Sequence, residues 1–158
     1  MSAVCIDNHI LIWGVRKKAT PGQEGMILRA ELFLDLLEER KVRIMVPAVV
    51  QGEFLVRVPA DKHQEVLAVF EKRFQVVPYD SVAASWAAKI YQKHKVSGTS
   101  HSNANRDVLK ADIQILATAV TRKASVLYTH DEDLTKLASP YLRVSQLPEG
   151  LAKQQPLL

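Results

Sequence analysis

Four carboxylates in this sequence occupy positions where an unpaired carboxylate is costly. Two of them end or follow a short apolar run of strand type, and two interrupt the apolar face of a segment with helical periodicity. A carboxylate in apolar surroundings must be hydrogen-bonded, paired with a cation or bound to a metal ion. A cluster of such acids offers hard oxygen ligands, which suit Mg²⁺ or Mn²⁺ better than Zn²⁺. The four, in chain order, are Asp7, Glu53, Asp112 and Asp131, with Asp133 close by.

The segment around Asp112 has the clearest pattern. Its apolar residues recur at helical spacing in two neighbouring rows, and Asp112 falls within one of these rows. A short β-branched strand follows and stops at Thr129, just before Asp131 and Asp133. Ligands of open α/β sheets bind beyond the carboxyl ends of the strands, so these acids are expected to meet there. The two rows consist of Val108, Leu109, Ile113, Ile115, Leu116, Ala119 and Val120.

Each acid also has a structural alternative. Asp7 and Asp131 could be helix N-caps, and Asp133 could be a first-turn acid of the following helix. Glu53 and Asp112 could be partners of a buried Arg or Lys. Because the four acids come from four separate segments near one predicted sheet edge, the joint pattern favours a common site.

Predicted strands alternate with predicted helices along the chain, which indicates a parallel sheet with helices on both faces. We expect a single α/β domain, a three-layer sandwich over residues 1–148, followed by a loosely held tail at 149–158. The predicted strands are 3–7, 43–46, 74–77, 126–129 and 142–144. The predicted helices are 26–40, one opening at Pro47, 59–70, 80–95, 106–122 and 133–138, with an exposed loop at 96–105.

Composition limits the function classes. The 158 residues are 47% apolar and 24% charged, which is typical of a globular domain, and no apolar run approaches the ~18 residues of a membrane span. The single cysteine, Cys5, is predicted to be buried, and a cytoplasmic location is expected. His9 and His130 are interpreted as solvated loop histidines, since no histidine spacing indicates a metal site. Glycine-rich phosphate loops and nucleophile elbows are absent from the sequence.

Four motifs in order resemble the PIN-domain ribonucleases, a family that includes bacterial toxins of the VapC type. The resemblance extends from Val4 to about Pro148. His130 stands where the family usually has Asn, and the segment 16–25 is longer than in compact toxin members. The motifs are Val4-Cys-Ile-Asp7-Asn8, Val46-Pro-Ala-Val-Val-Gln-Gly-Glu53, Ala111-Asp112-Ile-Gln-Ile-Leu-Ala-Thr-Ala119 and Tyr128-Thr-His-Asp131-Glu-Asp133-Leu134.

The resemblance implies a central sheet of strand order 3-2-1-4-5, with Asp7 and Asp131 on either side of the reversal in strand order. It also implies metal-dependent endonucleolytic cleavage of RNA. Asp7, Glu53, Asp112 and Asp131 would be the catalytic metal ligands and Asp133 an auxiliary one. Asn8 and Thr129 would position water or phosphate.

The implied partners are RNA, a second copy of the chain and, for a toxin, an antitoxin protein. The net charge of +4 and the pI of about 9.2 agree with a polyanionic partner. The homodimer is expected to use the apolar helices of residues 49–70. The residues expected to contact RNA are Arg16, Lys17, Lys18, Arg106 and Lys110.

Two other classes remain as alternatives. A phosphoacceptor signalling domain would need an acid pair after the first strand, but Asn8 and His9 follow Asp7. A catalytically silent PIN-like module would bind RNA or protein without cutting. Such a module has little reason to keep carboxylates on apolar faces.

Overall fold

The computed structural model describes residues 2–96 and 103–151. Within them, five strands form an all-parallel sheet in the order β3-β2-β1-β4-β5, flanked by helices. The predicted α/β architecture and strand order 3-2-1-4-5 are therefore confirmed. The strands are β1 (Ala3–Ile6), β2 (Arg43–Pro47), β3 (Gln75–Val77), β4 (Val126–Tyr128) and β5 (Arg143–Ser145).

The helices follow the predicted order with shifted ends. Helix α4 continues past Phe70 to Arg73. The buried Phe70 ring packs edge-on against Phe54 and Phe74, with centroids 5.3 and 5.4 Å apart. Helix α6 begins at Asn103, earlier than predicted, and residues 97–102 of the expected loop lie outside the described residues. The helices are α1 (Asn8–Leu11), α2 (Gly25–Glu39), α3 (Ala48–Leu55), α4 (His63–Arg73), α5 (Ser81–Val96), α6 (Asn103–Thr121) and α7 (Glu132–Ala138).

A π-helix over Ile12–Arg16 follows α1, which helical periodicity did not predict. It packs closely on α2, because a Cβ added at Gly14 would lie 2.7 Å from Leu34 Cδ1 and 3.4 Å from Ala30 Cβ. Lys17 ends the π-helix with a left-handed φ of 57°. The close contact sets the position of the segment that leads away from β1.

Strand β1 is the centre of the molecule. All four of its residues are buried, including Cys5, as predicted. Burial raises the pKa of the Cys5 thiol, which is therefore a packing group. Ile6 pairs with Tyr128 of β4, so β1 and β4 end side by side where the strand order reverses. The crevice of an open α/β sheet opens at this point.

The chain after β5 is anchored to α2. Arg29 Nε donates to the carbonyl of Pro148 at 3.0 Å, and Arg29 Nη2 donates to the carbonyl of Leu147. Arg29 also lies 3.9 Å from the carboxylate of Glu149. Residues 152–158 of the predicted tail lie outside the described part of the chain. No helix among residues 2–96 and 103–151 is long and apolar enough to cross a membrane.

Candidate active site

Thr129 connects the two strands that border the crevice. Its hydroxyl donates a hydrogen bond to Oδ2 of Asp7 and accepts one from the backbone N–H of Asp131 at 3.0 Å. The backbone adds two bonds, since the Asp7 N–H donates to the Tyr128 carbonyl at 3.3 Å and the Thr129 N–H to the Ser145 carbonyl at 3.0 Å. Thr129 is fully buried, so this network fixes the ends of β1, β4 and β5 relative to one another.

Asp7 is a buried carboxylate, with 4% of its surface exposed. Burial raises the pKa of Asp7, and the charge of Asp131 raises it further, while the Thr129 hydrogen bond and His9 lower it. The Ile10 backbone N–H also lowers the pKa of Asp7. Even so, the second oxygen, Oδ1, is buried with no donor in hydrogen-bonding geometry, and so is Oδ1 of the adjacent Asn8. Two acceptor atoms without donors in one place are costly unless something positive meets them.

Asp131 is a helix N-cap and also lies beside the Thr129 network that holds Asp7. It is the N-cap of α7, where Oδ1 accepts the Leu134 N–H at 3.0 Å, and its carbonyl accepts the Thr135 hydroxyl at 2.8 Å. Those bonds hold the residue rigidly beside Thr129. Asp133 lies in the first turn of α7 and is exposed. The predicted capping role of Asp131 therefore fixes its place at the crevice.

Asp112 is half-buried on α6, and its pKa is raised to about 7. Burial is the largest cause, followed by the negative charges of Asp131, Glu53, Asp133 and Asp7. The pKa of the α6 carboxylate thus depends on the charges of the other four acids named from the sequence. Because such charge effects weaken with distance, the five acids lie in the same region of the molecule.

Glu53 lies on α3 and is largely exposed. Its pKa is nevertheless raised, first by partial burial of the carboxyl group and then by the charges of Asp7 and Asp131. His9 acts in the opposite direction on both Glu53 and Asp7. The acid on α3 therefore belongs electrostatically to the same cluster.

Among residues 2–96 and 103–151, no three His, Cys, Asp or Glu side chains are close enough to hold one metal ion as they are placed. The donor set nevertheless fits a hard divalent cation, because it consists of carboxylates with elevated pKa and a buried acceptor on Asp7 without a donor.

Two clefts border the acids. A groove of about 560 Å³ contains Glu53 and is lined by Asn8, Arg16 and Lys18. A smaller cleft of about 350 Å³ between α6 and α7 contains Asp112 and Asp133. Glu53 thus lines a basic groove, whereas Asp112 and Asp133 line a second cleft with apolar walls. Val108, predicted to be part of the apolar face of α6, instead lines this second cleft and is 56% exposed.

The basic residues predicted from the sequence separate into two groups. Arg16 and Lys18 line the groove beside Glu53, whereas Lys17 lies 3.9 Å from Glu31 of α2. Lys110 lines a different hollow, and Arg106, one helical turn earlier, shares its side of α6. Residues two apart on a helix do not face the same direction, so Lys110 points away from Asp112.

The interpretation of His130 as a solvated loop histidine is wrong. Its Nε2 accepts the N–H of Leu147 at 3.0 Å, and its ring lies edge-on to Trp13 at 5.3 Å between centroids. Burial lowers the pKa of His130, and the charges of Arg29 and His9 lower it further. The histidine therefore packs the site loop against the chain after β5. His9, in contrast, is exposed, with its ring 5.7 Å from that of Trp13.

Several solved structures share the fold of this chain. The chain is similar to VapBC2 from Rickettsia felis bound to a promoter DNA fragment, with a TM-score of 0.67 and 15% identity over 92% of this chain and 99% of that one. It is also similar to DNA-bound VapBC from Salmonella typhimurium, with a TM-score of 0.66 and 17% identity over 94% and 100%. FitAB bound to the IR36 DNA fragment gives a TM-score of 0.60 and 20% identity over 90% and 94%. No curated protein matches the sequence.

The sequence itself also matches a family. The model of the PIN domain covers residues 4–140, a range that begins in β1 and ends just after α7 and contains all five acids. This range includes the four motifs on which the sequence resemblance depends, up to Leu134. The chain therefore belongs to the PIN domain family.

Proposed function

We propose that this protein is a metal-dependent endoribonuclease that hydrolyses RNA phosphodiester bonds. The observation that carries the proposal is that Thr129 joins Asp7 to Asp131 at the carboxyl ends of β1 and β4. The charges of these two acids and of Glu53 and Asp133 all raise the pKa of Asp112. Purely structural acids do not require such a concentration of like charge. Membership in the PIN family supports the same activity.

Asp7, Glu53, Asp112 and Asp131 would hold Mg²⁺ or Mn²⁺ directly or through water, with Asp133 auxiliary. When bound, such an ion lowers the pKa of a water molecule and neutralises charge on the phosphate oxygens. Thr129 keeps Asp7 in place through its hydroxyl, and the Asn8 amide beside Asp7 offers a polar group to water or phosphate. Hydrolysis by water would leave a 5′-phosphate and a 3′-hydroxyl.

The experiment is cleavage of labelled single-stranded RNA by purified protein with Mn²⁺, with Mg²⁺ and with a chelator. We expect cleavage with either ion and none with the chelator. Asp7→Asn should remove the activity, whereas Asp61→Asn, an exposed acid outside the site, should retain it. Cleavage that persists in the chelator or in Asp7→Asn would refute the assignment.

We further infer that the protein is the toxin of a toxin–antitoxin pair. The support is that the similar structures named above are VapBC and FitAB complexes. An adjacent reading frame encoding a small antitoxin, whose product inhibits cleavage in vitro, is the expected finding. Full RNA cleavage in the presence of that product would contradict the pairing.

A further inference from the structure

The groove beside Glu53 has a cationic wall, of which the sequence predicted Arg16 and Lys18 but not Arg57. It is formed by α1, the π-helix, the loop after it, and α3 with the turn that follows. Arg57, two residues beyond α3, lines this groove together with Arg16 and Lys18. These three cations come from segments about forty residues apart in the chain, so no sequence pattern places them together.

These cations are not neutralised by the protein. Among residues 2–96 and 103–151, neither Arg16, Lys18 nor Arg57 forms an ion pair, although Lys17 pairs with Glu31. Unpaired guanidinium groups in a concave surface favour bidentate binding of an anionic oxyacid such as phosphate. The groove is thus prepared for an anion.

Arg16 is held in place by the backbone of Arg57. Its Nη2 donates a hydrogen bond to the Arg57 carbonyl at 3.3 Å. The bond uses the main chain of Arg57, so the Arg57 side chain is not needed to position Arg16. A side-chain substitution at Arg57 therefore removes one cation and leaves Arg16 in position.

We propose that this groove binds the backbone phosphates of single-stranded RNA on one side of the carboxylate cluster, and that Arg57 contacts one of them. The identity of the anion rests on the proposed function. Five clustered acids repel a polyanion until metal is bound, and adjacent free cations offset that repulsion along the strand. Glu53 and Asn8, the residue after Asp7, also line the groove, so a strand lying in it passes beside two of the segments that carry the acids.

The test measures RNA binding separately from cleavage. Asp7→Asn serves as the non-cleaving background, and Arg57→Gln is compared in it with Arg43→Gln. Arg43 is an exposed arginine at the amino end of β2, on the opposite edge of the sheet from the groove. Because both residues are arginines, the two variants lose the same charge. Binding of a short single-stranded RNA is measured by fluorescence anisotropy at several salt concentrations.

Arg57→Gln should reduce the slope of log K against log salt by about 0.7, the value for one phosphate contact on a single strand. Arg43→Gln should leave the slope unchanged. In the cleaving protein, Arg57→Gln should raise KM with kcat retained, since a phosphate contact remote from the scissile bond acts equally on ground and transition states.

Equal slopes for the two variants would overturn the proposal. Failure here is distinguishable from failure of the proposed function. If the wild type cleaves RNA with metal but Arg57→Gln behaves like Arg43→Gln, only the groove assignment is lost. If Arg57→Gln alone changes the slope but no metal-dependent cleavage occurs, the nuclease proposal is lost and the groove assignment stands.

Discussion

The hydroxyl of Thr129 donates a hydrogen bond to Oδ2 of Asp7, joining two residues 122 positions apart in the chain. Both lie one residue beyond the register pair Ile6–Tyr128, at the point where the strand order reverses. The same hydroxyl accepts the N–H of Asp131 at 3.0 Å. One buried side chain therefore sets the relative positions of two proposed metal ligands.

Replacing Thr129 by Val should destabilise the protein and impair the site. The change keeps the shape but leaves Oδ2 of Asp7 and the N–H of Asp131 without this partner, at a cost of about 1–3 kcal/mol in unfolding free energy. The pKa of Asp7 should rise further, because the lost bond lowers it. Urea denaturation checks the effect, and Thr129→Ser, which keeps the hydroxyl, is the control. A Val variant as stable as wild type would contradict the bridging role.

Asp7→Asn should abolish cleavage and raise metal-free stability at neutral pH. The native pKa of Asp7 is raised by burial, so ionisation of this group disfavours the folded state. For a raised carboxyl pKa, stability is highest below the unfolded value and falls as the pH rises through the folded value. Asparagine does not ionise, so the variant escapes this loss. Thermal melting at pH 7 without metal is the measurement, and a lower melting temperature than wild type would be the contrary result.

The acids could be predicted from the sequence because each either follows a strand or interrupts an apolar helix face, where an unpaired carboxylate is destabilising. Asp112, among the apolar residues of α6, is an example of the second kind. The sequence indicated their meeting place because parallel strands share a carboxyl edge. It did not indicate Arg57 or the bond from Leu147 to His130, since these contacts join segments remote in the chain. Helical periodicity likewise placed Val108 on the apolar face of α6. It gave no information on which end of that face lines a cleft instead of packing in the core.

The metal-free protein should lose stability between about pH 4 and pH 7 partly through Asp112. The pKa of Asp112 is about 7 in the folded protein, whereas in the unfolded chain it is near the ordinary aspartate value of 3.8. The folded state therefore binds the extra proton in this range, and stability falls as the pH rises until Asp112 is ionised in both states. Asp112→Asn should flatten this part of the stability profile. Asp107→Asn, an exposed acid on the same helix, should follow wild type, and identical profiles for all three proteins would contradict the shift.

Exposed apolar side chains at the end of α3 and on α4 form a candidate surface for the predicted homodimer. Val56 at the end of α3 is 82% exposed, and Leu67 and Val69 of α4 are also exposed. Burial of such side chains between two copies would stabilise association by about 25 cal/mol per Å² of apolar surface. We expect a dimer mass by light scattering at micromolar concentration and a monomer for Val56→Glu. Val82→Glu, a comparable exposed position on α5, should remain dimeric, and a wild-type monomer would contradict the prediction.

Mn²⁺ should stabilise the folded protein, and more strongly at pH 7 than at pH 5. Metal binding competes with protons for the carboxylates. The pKa of Asp112, about 7, leaves this group protonated in weak acid, and the pKa values of Asp7 and Glu53 are raised in the same direction. An ion bound only by the folded state contributes about 2.7 kcal/mol at a hundredfold excess over Kd. For a domain of this size that corresponds to a rise of about 5–10 °C in Tm. In Asp112→Asn the rise should shrink because a ligand is missing, whereas Asp107→Asn should keep it in full. If Mn²⁺ raised the melting temperature of Asp112→Asn as much as that of wild type, the ion would be bound elsewhere, and the acids would need another explanation.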